Sequence, residues 1–160
     1  MPLSFVPTIG IYRTNSLLAP KSFVDVTPAD ALVRPGGMGN CMLFILGHMA
    51  ISRCGVAKLM ESPIEKPWEK IFDRGAAPLD NSAYPPLAEV LVAWDDIGAR
   101  IVTRMEALTD AELARPTSGS WPNQENTVRG ALTFLALHDS YHVGQLAYAR
   151  RLLGKSQLVG

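Results

Sequence analysis

An excess of charge of either sign is what this sequence most plainly lacks. Its 15 Lys and Arg residues balance 15 Asp and Glu residues, and no Lys/Arg cluster supplies the electrostatic footprint that a phosphate backbone requires. That removes the simplest argument for a nucleic-acid partner. Only 19% of the 160 residues are charged while 48% are hydrophobic. Such a composition argues against a disordered tail and fits one globular domain spanning residues 1–160, long enough to bury a core without staples.

Cysteine is scarce as well. Cys41 and Cys54 are the only two, and on one expected helix their spacing puts them roughly 20 Å apart, beyond the reach of a disulfide. Free thiols agree with a reducing compartment. A long uninterrupted apolar run is also missing. The most apolar stretch, Met38 to Met60, carries Asn40, His48, Ser52 and Arg53, which suits a helix buried in protein better than one facing lipid. The start, MPLSFVPTIGIYRTN, has neither the basic beginning nor the continuous apolar run of a secretory signal. No membrane association and a cytoplasmic location are the resulting expectations.

What remains is helical periodicity. No segment alternates convincingly as a strand, and segments of 3.6-residue period are separated by Pro- and Gly-rich breaks, so the chain reads as all-α. A first helix is expected from about Thr8 to Leu18, ahead of Pro20, with a short turn started by Thr27 and Pro28. The second follows Pro35-Gly36-Gly37 and starts near Asn40, with Cys41, Ile45, His48, Ser52, Gly55 or Val56, and Leu59 along one face. Pro63 and Pro67 end it, and PWEKIFDRG forms a brief helical piece in a long connection. The third spans about Pro86 to Leu108. After a turn at Thr109 to Ala114 and a loop around Pro116 to Asn126, the last runs from near Thr127 to about Leu153. Gly154 stops it, and Arg150 and Arg151 lie at the negative end of its dipole. Its core-facing series is expected to be Val128, Ala131/Leu132, Leu135, His138, His142, Gln145/Leu146, Ala149 and Leu152/Leu153. The architecture is a bundle of four antiparallel helices with a long crossover between helices two and three.

Three histidines are all the sequence has, and each falls on such a series rather than in a loop. His138 and His142 project side by side from one face, four residues apart. Two imidazoles so placed can reach one ion at ~2.0–2.1 Å, and His48 would complete an open three-His site if helix two packs on the last helix. On spacing alone, three core histidines satisfied by local partners remain an equal reading. Burial of three imidazoles without partners costs free energy, which favours shared coordination.

GHMAISR around His48, with ALHDSYHVGQLAYARRLLG around His138 and His142, resembles the DinB/YfiT-like family of metal-dependent enzymes. The likeness spans most of the chain. It implies a four-helix bundle, His48, His138 and His142 as metal ligands, and a homodimer. Members include transferases and isomerases that use low-molecular-weight thiols, and hydrolases. The function this implies is divalent-metal-dependent activation of a thiol or water for attack on a small electrophilic substrate. The alternative is a non-catalytic metal- or small-ligand-binding bundle. Three imidazoles suit zinc or nickel, and less strongly manganese or iron.

Other side chains have plainer expectations. Asp139 points about 100° away from His138 around the helix and suits a cap, a salt bridge or an interface. Gln145 suits packing or a hydrogen bond behind a ligand, and Tyr141 the pocket or a subunit interface. Ser52 leaves space for substrate or for close helix packing. Arg53, Arg150 and Arg151 could attract an anionic substrate, but solvated helix faces and dipole compensation explain them more simply. Cys41 is a buried thiol too far from His48 to coordinate. Trp68, Trp94 and Trp121 are read as core or loop anchors rather than substrate platforms, with bordering the opening as the alternative for Trp121.

Overall fold

The computed structural model describes residues 2–37, 39–76, 80–119 and 121–159. Met38 in the second expected break and Ser120 in the loop before the last helix therefore lie outside the described residues. Seven helices appear among those described: α1 (Val6–Lys21), α2 (Pro28–Ala31), α3 (Met42–Leu59), α4 (Glu69–Phe72), α5 (Leu87–Glu106), α6 (Asp110–Ala114) and α7 (Val128–Leu152). Four are long and form a four-helix bundle. The described residues contain no strand, only one isolated bridge between Pro116 and Thr127.

Local chemistry sets the ends. Thr27 with Asp30 and Thr109 with Glu112 form reciprocal capping boxes at α2 and α6, and the Thr127 hydroxyl accepts the Gly130 amide at the start of α7. Gly154, at φ 74°, ends α7. The Gly154 and Lys155 amides donate back to the Arg151 and Arg150 carbonyls, satisfying orphan acceptors of the last turn. α1 continues past its expected end and contains Pro20. A proline there deprives the Ser16 carbonyl of its helical donor, and the indole Nε1 of Trp94 donates to that carbonyl instead, at 3.3 Å. The missing backbone bond is thus replaced from α5.

Packing pairs α1 with α5 and α7, and α3 with α5 and α7. Side-chain contacts fix the directions. Thr8, Tyr12 and Asn15 meet Thr133, Leu132 and Ser140 in turn, so α1 and α7 run parallel. Arg53 meets Trp94, and the Met60 carbonyl meets Arg104, so α3 and α5 also run parallel. His48 faces His142 while Arg53 reaches Asp139, so α3 and α7 are antiparallel. The expected four-helix bundle with a long crossover between its second and third long helices is observed, and the order of the four is up, down, down, up rather than strictly alternating. Two parallel consecutive helices require the chain to return along their length, which explains the long connection from Met60 to Pro86.

α3 is the central helix. It is long and apolar enough by composition to cross a membrane, yet it is 72% buried in the bundle. Burial surrounds it except at His48, Ser52, Gly55, Lys58 and Leu59. A helix apolar on nearly every side belongs inside a protein, and four of the five interruptions mark a face left open to a cavity.

Two arginines read as solvated are buried instead. Arg53 is 1% and Arg150 3% exposed. Arg53 Nη2 and Nε lie 2.6 and 3.2 Å from Asp139 Oδ2, and Nη1 donates to Ser16 Oγ at 2.8 Å. Its guanidinium lies 3.6 Å above the Trp94 ring, and a Cβ at Gly98 would come within 2.9 Å of Nη1. One side chain on α3 is thereby held by α1, α5 and α7. Arg150 donates to the Ser156 carbonyl at 2.9 Å and the Ser22 carbonyl at 3.2 Å, tying the end of α7 to the segment after α1. A guanidinium carries five donors and no acceptor, so convergent carbonyls can satisfy it without an acid. Arg151 is exposed as expected.

The core-facing series of α7 is also displaced from the expected one. Its buried positions are Val128, Gly130, Ala131, Leu132, Ala136, Asp139, Val143, Leu146, Ala149 and Arg150, while Leu152 is exposed. His138 and His142 flank that stripe and are half-buried. They face the cavity side rather than the core.

Candidate metal centre

The site begins at Gly47. A Cβ there would lie 2.5 Å from ring atoms of Phe72, so only glycine lets this fully buried ring close against α3. Phe72 is the last residue of α4, and its carbonyl accepts from His48 Nδ1 at 2.9 Å. A carbonyl cannot donate, so Nδ1 of His48 carries a proton, and in the neutral tautomer this leaves the lone pair on Nε2. His142 is oriented in the same way from within α7. Its Nδ1 lies 2.7 Å from Gln145 Oε1, and the Gln145 amide nitrogen donates to the Tyr141 hydroxyl at 3.1 Å. With its oxygen turned to the ring, Gln145 selects the tautomer that frees Nε2 of His142.

The Nε2 atoms converge, those of His138 and His142 close enough to share a proton. His138 Nε2 and His142 Nε2 are 3.1 Å apart, and one ligand atom from each of His48, His138 and His142 lies within 4.8 Å of the others. Two nitrogens at ~2.0–2.1 Å from one ion and ~90–110° apart are separated by about 2.9–3.4 Å, so the pair already has the bite of a chelate. His48 supplies the third donor from across the helix interface. Burial, then the neighbouring His142 and His48, pushes the His138 pKa down to about 4. Burial also lowers His142, aided by His48 and opposed by the bond to Gln145. Both are neutral near pH 7, the form in which imidazole offers a lone pair to a metal.

These nitrogens open on a cavity of about 960 Å³. Phe44, Ile51, Leu59, Trp121, Phe134 and Leu135 give it an apolar wall, and Lys66, Asp73 and Arg74 bring charge to it. Ser52 and Gly55, the small positions of the α3 face, also line it. Trp121 is positioned by donating from Nε1 to Thr117 Oγ1 at 2.8 Å.

The sequence-derived candidates separate clearly here. His48, His138 and His142 come together, with Ser52, Tyr141 and Trp121 along the same cavity and Gln145 behind His142. Asp139 faces the core and pairs with Arg53, while Trp94 is fully buried and Trp68 packs half-buried beside Phe72. Cys41 and Cys54 are buried free thiols, and burial raises the Cys54 thiol to about 11. Missed from the sequence were the Phe72 carbonyl and the Asp73-Arg74 wall. The brief helical piece that carries them was legible, but nothing in its spacing tied it to the histidines.

A family profile described as the DinB superfamily matches residues 17–146. No curated protein matches the sequence. Among solved structures, the chain is similar to YfiT from Bacillus subtilis, described as a probable metal-dependent hydrolase with an unusual four-helix bundle topology. The identity is 16%, the TM-score 0.68, and the match covers 98% of this chain and 91% of that one. The chain belongs to the DinB superfamily.

Proposed function

We propose that this member of the DinB superfamily is a metal-dependent enzyme whose ion is held by Nε2 of His48, His138 and His142. The observation that carries the reading is the convergence of three imidazoles beside a large cavity, two of them locked by Phe72 and Gln145 with Nε2 free. Three neutral donors are the ligand set of a catalytic site that keeps a further position for water or substrate, whereas a structural site is closed by four. Zinc or nickel suits the imidazoles best, with manganese or iron as weaker fits. An ion held there supplies Lewis acidity that lowers the pKa of a water or thiol at the open position.

The chain's own residues have defined parts in such a reaction. The Phe72 carbonyl and the Gln145 amide hold proton positions on His48 and His142, keeping each imidazole aimed and electron-rich. The apolar wall excludes water from one side of the substrate and strengthens electrostatic interactions within the cavity. Neither cysteine supplies the nucleophile, because both are buried and burial holds the Cys54 thiol protonated at pH 7. With no cysteine available, the nucleophile in this reading comes from outside the chain, as water or as a low-molecular-weight thiol. The description of YfiT as a probable metal-dependent hydrolase agrees with the water branch.

Turnover separates this reading from a bundle that merely binds a metal or small ligand. Metal-loaded protein should convert a small electrophile, an activated ester or a chloro-dinitroarene, in the presence of water or an added thiol. Activity should vanish with a chelator and return with zinc or nickel. Unchanged turnover after the metal has been removed and verified absent contradicts the proposal.

A further inference from the structure

The chain has ten arginines, and nine have a side-chain partner. Arg13, Arg53, Arg100, Arg104, Arg115 and Arg129 pair with acids. Arg150 and Arg151 donate to carbonyls, and Arg34 to Gly39 and Tyr84. Arg74 is the exception: among the described residues its guanidinium meets no acceptor, and it lines the same cavity as the three histidines. Lys66, the other cation on that wall, is already engaged by Glu69 at 2.6 Å. Asp73 is the one carboxylate among the described lining residues, and it accepts the backbone amide of Arg74 at 2.8 Å. In a chain of balanced charge, an exposed guanidinium with no acceptor among the described residues thus borders the cavity.

A guanidinium presents a planar fork of donors that matches a carboxylate in two parallel hydrogen bonds. A single fork balances a monoanion, whereas a phosphate monoester, close to doubly charged at neutral pH, calls for more donors than this wall offers. The rest of the lining is largely aromatic and aliphatic, through Trp121, Phe134, Leu135, Ile51 and Phe44. Resting on the reading of this cavity as the substrate site, we propose that it takes a small carboxylate with an apolar body, and that Arg74 determines the specificity by binding the carboxylate. The apolar body then lies against Trp121 and Phe134, within reach of the His48, His138 and His142 face.

Calorimetric titration of 4-phenylbutyrate and its neutral amide, 4-phenylbutyramide, tests this on zinc-loaded and zinc-free protein, with zinc content measured in each. The carboxylate should bind about three- to fivefold tighter than the amide, the size expected of an ion pair to an exposed guanidinium. Arg74→Ala should bring the two within about twofold, leaving amide affinity, zinc content and melting temperature unchanged, and Arg74→Lys should restore part of the preference. The preference should persist without zinc. A preference that survives Arg74→Ala, or that disappears with zinc while ignoring Arg74, overturns the assignment in favour of ligation by the ion. Failure of both probes to bind overturns it as well. Protein that binds no zinc but keeps an Arg74-dependent preference would instead refute the metal reading and leave this one standing.

Discussion

Gly47→Ala is a one-carbon change that should reach the proposed metal site through a residue outside the proposed ligand set. The added Cβ would lie 2.5 Å from three ring atoms of Phe72. An ordinary carbon–carbon contact is ~3.5–4.0 Å, so the ring must retreat by roughly 1 Å or more. Phe72 is fully buried between Phe44, Trp68 and Tyr84, leaving it little room to move alone. Overpacking of this kind costs about 1–3 kcal/mol. The Phe72 carbonyl is attached to the same residue and accepts from His48 Nδ1 at 2.9 Å; a displacement of that size breaks the bond. Loss of a hydrogen bond that orients a ligand typically lowers metal affinity by about 10–100-fold. Zinc affinity by chelator competition at pH 7.5, with melting curves of the metal-free protein, reads both effects. Phe72→Leu added to Gly47→Ala should relieve the clash and recover part of the zinc affinity. Wild-type affinity in Gly47→Ala would refute the argument that Gly47, Phe72 and His48 act as one unit.

Two further outcomes follow from the buried charges and the shifted histidines. Asp139→Ala leaves the Arg53 guanidinium buried without its carboxylate, which should cost roughly 3–5 kcal/mol and lower the melting temperature by about 10 °C. The apolar pair Arg53→Met with Asp139→Leu should recover most of it, and a single mutant melting like wild type would deny the pair its role. For metal-free protein, the depressed pKa values of His138, about 4, and His142 mean that the unfolded chain takes up protons first as pH falls. Stability should be level above about pH 7, then fall from about 6.5, the ordinary histidine value, toward 4. His138→Asn should flatten that slope, and a wild-type melting temperature independent of pH across this window would contradict the shifts.

Much of the fold was legible because its signals are local. Thr27, Thr109 and Thr127 announce helix starts by capping chemistry, Gly154 announces an end, and the apolar period of α5 names its buried face from Val90 to Met105. The His-x3-His spacing likewise put two imidazoles on one face of α7, whereas His48 was tied to them by family resemblance and not by any local signal. Features that depend on a partner helix were not legible. Pro20 reads as a helix stop until Trp94 is seen serving the Ser16 carbonyl. Arg53 reads as solvated until Asp139, Ser16 and Trp94 surround it. The parallel run of α3 and α5 leaves no mark on either helix alone. For the same reason, the half-polar face of α3 resembled a core stripe, although His48, Ser52, Gly55 and Leu59 line the cavity.

Metal content bears most directly on the central proposal, that three histidines drawn from two helices hold one ion. Purified wild type, His48→Ala, His138→Ala and His142→Ala should be loaded with zinc, dialysed and assayed by elemental analysis, with melting temperature recorded with and without chelator. Wild type should retain about one ion per chain and lose stability on chelation, as linkage requires of a ligand that binds the folded state. Each single mutant should lose most of the ion, and double mutants should lose little more, because donors to one centre act as a unit. Retention of wild-type zinc by His48→Ala would contradict the account, since a site confined to His138 and His142 would not need α3.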